Sequence, residues 1–338
     1  MRILIDAFGG DNSPEEVILG TVEAVKEKDG FTAVLVGKQD VISELLSKCD
    51  YDKERIEILN ADEVITCEEE PTVAIRRKPN SSICVAFKEL KESESATAFV
   101  SAGSTGAVLV GATLKLGRIQ GVNRPAVCPM MPTLKEGKMV FLMDSGANVD
   151  CKPINLCQFA LMASAYAESI GVKNPKVALL SNGTEDEKGN ALNHEVFPLL
   201  KNMKTINFVG NMEAREILSG DVDVVVTDGF AGNVALKATE GAVGSLFKLM
   251  KEEIYSSFRG KIGGLLLKPV FKKLKKRMDY TSMGGALFLG VHKTVIKVHG
   301  SSKAPAFKGA ILQAVSCSEN NLATAIKERI EGEPINLQ

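Results

Sequence analysis

One local pattern recurs at least five times along this chain: a short apolar run, then a small polar or acidic residue, then glycine. Ile3-Leu4-Ile5 enters Asp6-Ala7-Phe8-Gly9-Gly10-Asp11, and Ala98-Phe99-Val100 enters Ser101-Ala102-Gly103-Ser104-Thr105-Gly106. Val140-Phe141-Leu142-Met143 leads to Asp144-Ser145-Gly146-Ala147-Asn148, and Val177-Ala178-Leu179-Leu180 to Ser181-Asn182-Gly183-Thr184. Val224-Val225-Val226 runs into Thr227-Asp228-Gly229-Phe230-Ala231-Gly232-Asn233. Continuous apolar runs of this length are strands buried on both faces, as in parallel sheets. In open α/β sheets ligands bind beyond the carboxyl ends of the strands. Strand ends rich in glycine, hydroxyl and carboxamide groups therefore describe a polar pocket that backbone can approach closely.

Helix-like segments alternate with these runs, which predicts βαβ units and a mainly parallel sheet. Pro14–Lys26 has helical periodicity, with Ser13 as the expected N-cap. Further helices are expected over 41–47, 106–116, 152–170, 194–203, 235–258 and 305–329. Strands are expected over 32–36, 56–59 and 206–209, with a late pair between Gly284 and Val298. The 338 residues are 45% hydrophobic and 25% charged, with net charge −1, so a sizeable core is available. The charge balance gives no global reason to expect nucleic acid or membrane binding. The apolar run at the N-terminus is too short for a secretory signal, and the longest uncharged stretch, 95–114, reads as strand, turn and helix. Seven cysteines without a CxxC and three histidines argue against zinc and for reduced thiols. Cys151, beside Asp150, is a weak candidate nucleophile because no histidine lies near it in sequence.

Each strand end admits a chemical and a structural reading. Gly103-Ser104-Thr105-Gly106 suits a small anion at a strand-to-helix turn, or merely allows tight packing. It lacks the Walker lysine and gives only part of a dinucleotide fingerprint, so a nucleotide is disfavoured. Asp6 and Asp11 flank Gly9-Gly10 and could orient pocket donors or a metal, or form a turn and helix cap. Asn233 can donate to an oxyanion, cap a helix, or do both. Lys188 lies among three acids at 185–187 and Gly189-Asn190; it is a solvated loop charge or a point cation for phosphate. His194 reads as an exposed helix residue before a base. Arg76-Arg77-Lys78 with Ser81-Ser82 offers guanidinium donors to an anion, or is a solvated charge run.

Residues 259–277 hold eight Lys or Arg and no acid. Leu266, Val270 and Leu274 recur at helical spacing, flanked by Leu267, Phe271 and Met278, with Lys268, Lys272, Lys273, Lys275, Lys276 and Arg277 around them. That pattern fits a helix lying in the plane of an anionic membrane, or a dimer helix with a basic face. Nucleic acid is the weaker option because no aromatic platforms interleave with the charges.

Taken together, the motifs resemble the bacterial phosphate acyltransferase (PlsX) family. The likeness rests on IDAFGGD at 5–11, PTVAIRRKPNSS at 71–82, SAGSTGA at 101–107, NRPAVCPMMPT at 123–133, MDSGAN at 143–148, KGN at 188–190 and TDGFAGN at 227–233. It covers essentially the whole chain. Phe8, Ala231 and Pro79-Asn80 inside the basic cluster depart from the usual pattern without removing a charged pocket group. The resemblance implies a three-layer α/β/α sandwich like isocitrate dehydrogenase and phosphotransacetylase. It would be a single catalytic unit over 1–338 with a projecting helical hairpin at 235–282 for dimer and membrane contact.

The implied reaction passes a long-chain acyl group from acyl carrier protein to inorganic phosphate, giving acyl phosphate for phospholipid synthesis. Lys188 and Asn233 are the implied catalytic residues. The implied phosphate and substrate contacts are Asp6, Gly9, Gly10, Asp11, Arg76, Lys78, Ser81, Ser104, Thr105, Gly106, Asp144, Asn148, Asp228, Gly229 and Gly232. Membrane contact falls on Leu266, Val270, Phe271, Lys272 and Lys273. No cofactor and no resident metal are expected, although Asp6, Asp11 and Asp144 keep a metal open. The implied setting is a cytoplasmic homodimer, peripheral to the inner face of the membrane, partnered by an integral membrane glycerol-3-phosphate acyltransferase. The alternatives are a phosphotransacetylase-like enzyme acting on acyl-CoA, a nicotinamide-dependent decarboxylating dehydrogenase of related fold, and a membrane-associated scaffold.

Overall fold

The computed structural model describes residues 1–277, 284–333 and 335. The end of the expected hairpin, 278–282 with Met278, lies outside the described residues.

The chain begins as a succession of βαβ units. β1 (Arg2–Asp6), α1 (Glu15–Glu27), β2 (Thr32–Gly37), α2 (Gln39–Leu46) and β3 (Ile56–Asn60) are followed by α3 (Pro71–Arg77), α4 (Ser82–Glu92) and β4 (Ala96–Ser101). These strands are parallel and ordered β3-β2-β1-β4, so the order reverses beside β1. A crevice at such a reversal is where this fold class binds ligands. The strands face two cores. Ile3 and Ile5 point toward α1, whereas Leu4 joins Phe87 and Leu90 of α4 on the opposite side. Alternate residues thus supply both faces, and the unbroken apolar runs follow from that burial.

α5 (Thr105–Gly111) continues into a π-helical turn over Ala112–Leu116. The chain then changes sheets. β5 (Ala126–Cys128) belongs to the first sheet and β6 (Met130–Pro132) to a second one, with Pro129 between them. Proline has no N–H for a ladder, so it ends the pairing where the path turns. The second sheet continues through β7 (Met139–Met143), α6 (Pro153–Ser169), β8 (Lys176–Ser181), α7 (Ala191–Asn202), β9 (Asn207–Glu213) and β10 (Val224–Val226). Its order is β6-β7-β10-β8-β9, parallel except for the edge strand β6. α8 (Gly229–Tyr255) and α9 (Phe258–Arg277) form the hairpin. The path then returns through β11 (Ala286–Leu289) and β12 (Thr294–Lys297) to complete the seven-stranded first sheet, before α10 (Ala304–Glu319) and α11 (Leu322–Gly332).

The mixed α/β fold agrees with the sequence reading, but the strands form two sheets where one was expected. α6 joins them: it is buried without a break from Asn155 to Ala167. A helix that is apolar all round belongs in the interior, and its residues share one core with strands of both sheets. Two local expectations change. The Ser13 hydroxyl donates to the Gly10 carbonyl at 2.8 Å rather than capping α1, and Pro14 takes the N-cap place. Asn233 lies inside α8; Asp228 is the cap, accepting from the Ala231 N–H at 2.8 Å. The hairpin leaves much apolar surface uncovered, with Phe258 78% and Leu266 75% exposed. Among the described residues no helix is long and apolar enough to cross a membrane.

Candidate active site

The carboxyl ends of the two sheets face a cavity of about 450 Å³. One wall comes from the first sheet and includes Gly103, Thr105, Lys297 and His299; the other comes from the second and includes Ser145, Gly146 and Asn233. Met130, Met131 and Leu236 add an apolar side.

In the first wall, Asp6 is buried and works as an acceptor. It receives the Ser101 hydroxyl at 2.7 Å and the Phe8 N–H at 3.2 Å. Desolvation raises its pKa above the ordinary carboxylate value, against the hydrogen bonds that favour its charge. Gly9 lies so close that a Cβ there would stand 2.5 Å from the Asp6 carboxylate and 2.6 Å from the Gly103 nitrogen. The Asp11 N–H donates to the Gly300 carbonyl at 2.8 Å, so the turns after β1, β4 and β12 are laced together. Ser104 caps α5 by accepting from the Ala107 N–H at 3.4 Å. Gly106 serves packing, since a Cβ would fall 2.5 Å from the Pro71 ring.

In the second wall, Asp144 is the organising residue. Its carboxylate accepts from the Val127, Ala147 and Asn148 N–H groups and from the Asn148 carboxamide, at 2.7–3.2 Å. The Asn148 carboxamide also donates to the Pro125 carbonyl at 2.8 Å. Desolvation raises the pKa of Asp144 while these four bonds oppose the rise. Asp144 and Asn148 therefore shape the turn, and the intervening Ser145 and Gly146 face the cavity. The start of α8 sits directly on this turn: a Cβ on Gly232 would lie 1.9 Å from the Asp144 carbonyl oxygen, and one on Gly229 2.6 Å from that of Asn148. This contact places Asn233 over Gly146, where its carboxamide nitrogen is 3.3 Å from the ideal Cβ position. Among the described residues, no protein group is hydrogen-bonded to the Asn233 carboxamide.

The remaining candidates sit elsewhere. Lys188 is exposed on the turn after β8, the strand beside β10, and is not part of the cavity lining. Arg76 is exposed at the end of α3. Lys78 pairs with Glu69 at 2.7 Å and donates to the Val64 carbonyl at 2.9 Å. Ser81 is buried as the cap of α4, and its hydroxyl donates to the Lys78 carbonyl. The basic cluster is thus built into its own loop rather than into the cavity. His194 is exposed, with its ring 3.2 Å from the Gly189 carbonyl. Burial pushes the Cys151 thiol up to about 11, which disfavours a thiolate nucleophile. Among the described residues no group of three or more His, Cys, Asp or Glu is placed to hold a metal. Sequence reasoning missed Lys297, His299 and Cys67, all of which line the cavity.

Two sheets meeting at a cleft of strand ends define an α/β fold of the phosphotransacetylase type. EutD phosphotransacetylase from Staphylococcus aureus superposes with a TM-score of 0.61 over 95% of this chain and 94% of its own, at 18% identity. A phosphotransacetylase from Streptococcus pyogenes gives 0.61 over 94% of each chain at 15% identity. Similarity of this degree speaks for the fold. The family is shown by sequence: the model described as fatty acid synthesis protein matches residues 1–325. The phosphate acyltransferase of Clostridium novyi is 52% identical over 332 residues, 98% of this chain and 99% of that protein. The chain belongs to the phosphate acyltransferase family and is an enzyme of the acyltransferase class.

Proposed function

We propose that the protein transfers a long-chain acyl group from acyl carrier protein to inorganic phosphate, giving acyl phosphate for phospholipid synthesis. The observation that supports this most is the Asn233 carboxamide, which faces a cavity that also has an apolar side. Phosphate is itself an oxyanion nucleophile at neutral pH, so the reaction needs no serine or cysteine nucleophile. It needs phosphate held in line with the thioester carbonyl and donors for the oxyanion that develops. One phosphate oxygen forms a bond to the carbonyl carbon, the carbon–sulfur bond breaks, and the thiolate leaves to take a proton. In this reading Asn233 donates to the carbonyl oxygen, and Thr105 with the glycine-rich backbone receives phosphate. Lys188 supplies a cation from the neighbouring strand end.

The test is to incubate the protein with a long-chain acyl carrier protein and phosphate, with and without a chelator, and look for acyl phosphate. Absence of acyl phosphate in both arms sinks the reading. Acyl-CoA is the second thioester to assay, because the structural neighbours are phosphotransacetylases. Faster turnover with acyl-CoA would replace the carrier protein as donor.

The hairpin is proposed to seat the enzyme on an anionic membrane as a homodimer, beside the integral membrane glycerol-3-phosphate acyltransferase that takes the product. Leu265, Leu266 and Val270 are 69%, 75% and 58% exposed, with lysines at 268, 272 and 273. Each fully buried aliphatic side chain contributes roughly 1.5–3 kcal/mol and each lysine about 1 kcal/mol at such a surface. Changing the three apolar residues to serine is expected to weaken binding to anionic vesicles by at least about a hundredfold, with soluble turnover kept. Flotation with the vesicles gives the answer, and undiminished binding counts against membrane seating.

A further inference from the structure

The first sheet brings to the cleft a lysine that the proposed reaction leaves without a task. Lys297 ends β12 and stands in register with Ser101, the end of β4. It lines the same cavity as Thr105, Gly146 and Asn233. Its ammonium donates to the Ala102 carbonyl at 3.1 Å and to the Val298 carbonyl, which pins it over the turn that leaves β4. An ammonium carries three donors, so those two bonds leave one over.

Its electrostatic setting is unbalanced. Asp6 at the end of β1 and Asp11 in the turn after it act on it from a distance, as does Cys67 from the loop before α3. Lys237 and Glu240 of α8 and His299 line the same cavity. Yet among the described residues no carboxylate comes within ion-pairing distance of Lys297. A desolvated cation is costly unless an opposite charge accompanies it. Loss of water lowers its pKa to about 8, so near neutral pH it is still mostly charged. A chain that needed only packing at this position could hold an apolar side chain there. A cation kept in a cleft without a carboxylate partner calls for an anion supplied by the ligand.

We propose that Lys297 holds the phosphate substrate from the first-sheet wall, opposite Asn233, and completes an anion site that spans both sheets. The proposal rests on reading the cleft as the place of acyl transfer to phosphate. The cation fixes one phosphate oxygen, while Asn233 on the facing wall fixes the carbonyl that another oxygen attacks. It donates hydrogen bonds throughout and gives up no proton.

The decisive experiment uses the unaltered protein. Lysines are labelled by reductive methylation with and without inorganic phosphate, at matched ionic strength, and the extent at each lysine is read by mass spectrometry. Phosphate is expected to protect Lys297 and to leave the exposed Lys261 unaffected. Equal labelling of Lys297 in both arms overturns the proposal. In kinetics, Lys297→Met is expected to raise the phosphate KM by about tenfold or more, with the thioester KM unmoved and Lys297→Arg restoring part of the loss. An unchanged phosphate KM in Lys297→Met likewise overturns it. The cation is present below its pKa and lost above it. The phosphate KM of the unaltered enzyme should therefore climb as pH rises through about 8, and Lys297→Arg should remove that climb. If Lys297→Met does not fold, the labelling result decides. Protection without acyl phosphate formation keeps the site and discards the proposed function; turnover without protection does the reverse.

Discussion

Asp144→Ala is expected to cost on the order of 4 kcal/mol or more of folding stability, read as a shift in the urea unfolding midpoint. The carboxylate accepts from three backbone N–H groups and one carboxamide in a buried turn. Removing it leaves those donors without a partner, and each buried donor so orphaned costs roughly 1–3 kcal/mol. Asp144→Asn is expected to fall between, because its oxygen can still accept while its amide nitrogen meets donors head-on. The damage should also reach the chemistry. The same turn carries Ser145 and Gly146 into the cavity, and Gly232 rests against the Asp144 carbonyl. A loss below about 1 kcal/mol for Asp144→Ala would mean that the carboxylate is not what holds the second wall.

Asn233→Ala is expected to lower turnover by about a hundredfold to a thousandfold, the usual cost of removing one donor to a developing oxyanion. The fold should survive, because Asp228 rather than Asn233 caps α8. Unfolding curves that superpose on those of the unaltered protein would show this. The contrast with Lys188→Ala is informative. Lys188 is exposed and off the cavity lining, so as a distant cation its removal should raise the phosphate KM only modestly and leave turnover near normal. Turnover of Asn233→Ala within a few-fold of normal would move oxyanion stabilisation to the backbone donors of the turns.

The fold class was legible because buried parallel strands and glycine-bearing turns leave strong local marks. What escaped was tertiary. Nothing in Pro129 alone says that β5 and β6 join different sheets; it takes the pairing of both to show it. Asp6 and Asp144 were recognised as strand-end carboxylates, but a sequence does not reveal whether such a group faces a ligand or gathers N–H donors behind it. The same holds for Lys78 and Ser81, whose partners, Glu69 and the start of α4, lie in their own loop and are not marked in the local sequence. Lys297 was the most accessible omission. Val295-Ile296 runs into Lys297-Val298-His299-Gly300, a sixth instance of the recurring pattern with lysine in the place of the acid or hydroxyl. In sequence the run through Val298 has the marks of a late strand pair, which hides that it also ends at the cleft.

α8 sets a length scale for the enzyme. The helix has Asn233 near its start and is itself one arm of the hairpin, with α9 packed back along it. At 1.5 Å per residue the separation from Asn233 to Tyr255 is roughly 33 Å. Lys268 and Phe271 of α9 pack beside Phe247 and Lys251 of α8, so a bilayer meeting the apolar residues of α9 would lie roughly 20 Å along the rod from Asn233. With that contact made, the tilt of this one helix would govern how far an acyl chain must travel through water. Lengthening or shortening the rod by whole turns would change delivery of the product while leaving the chemistry as it is.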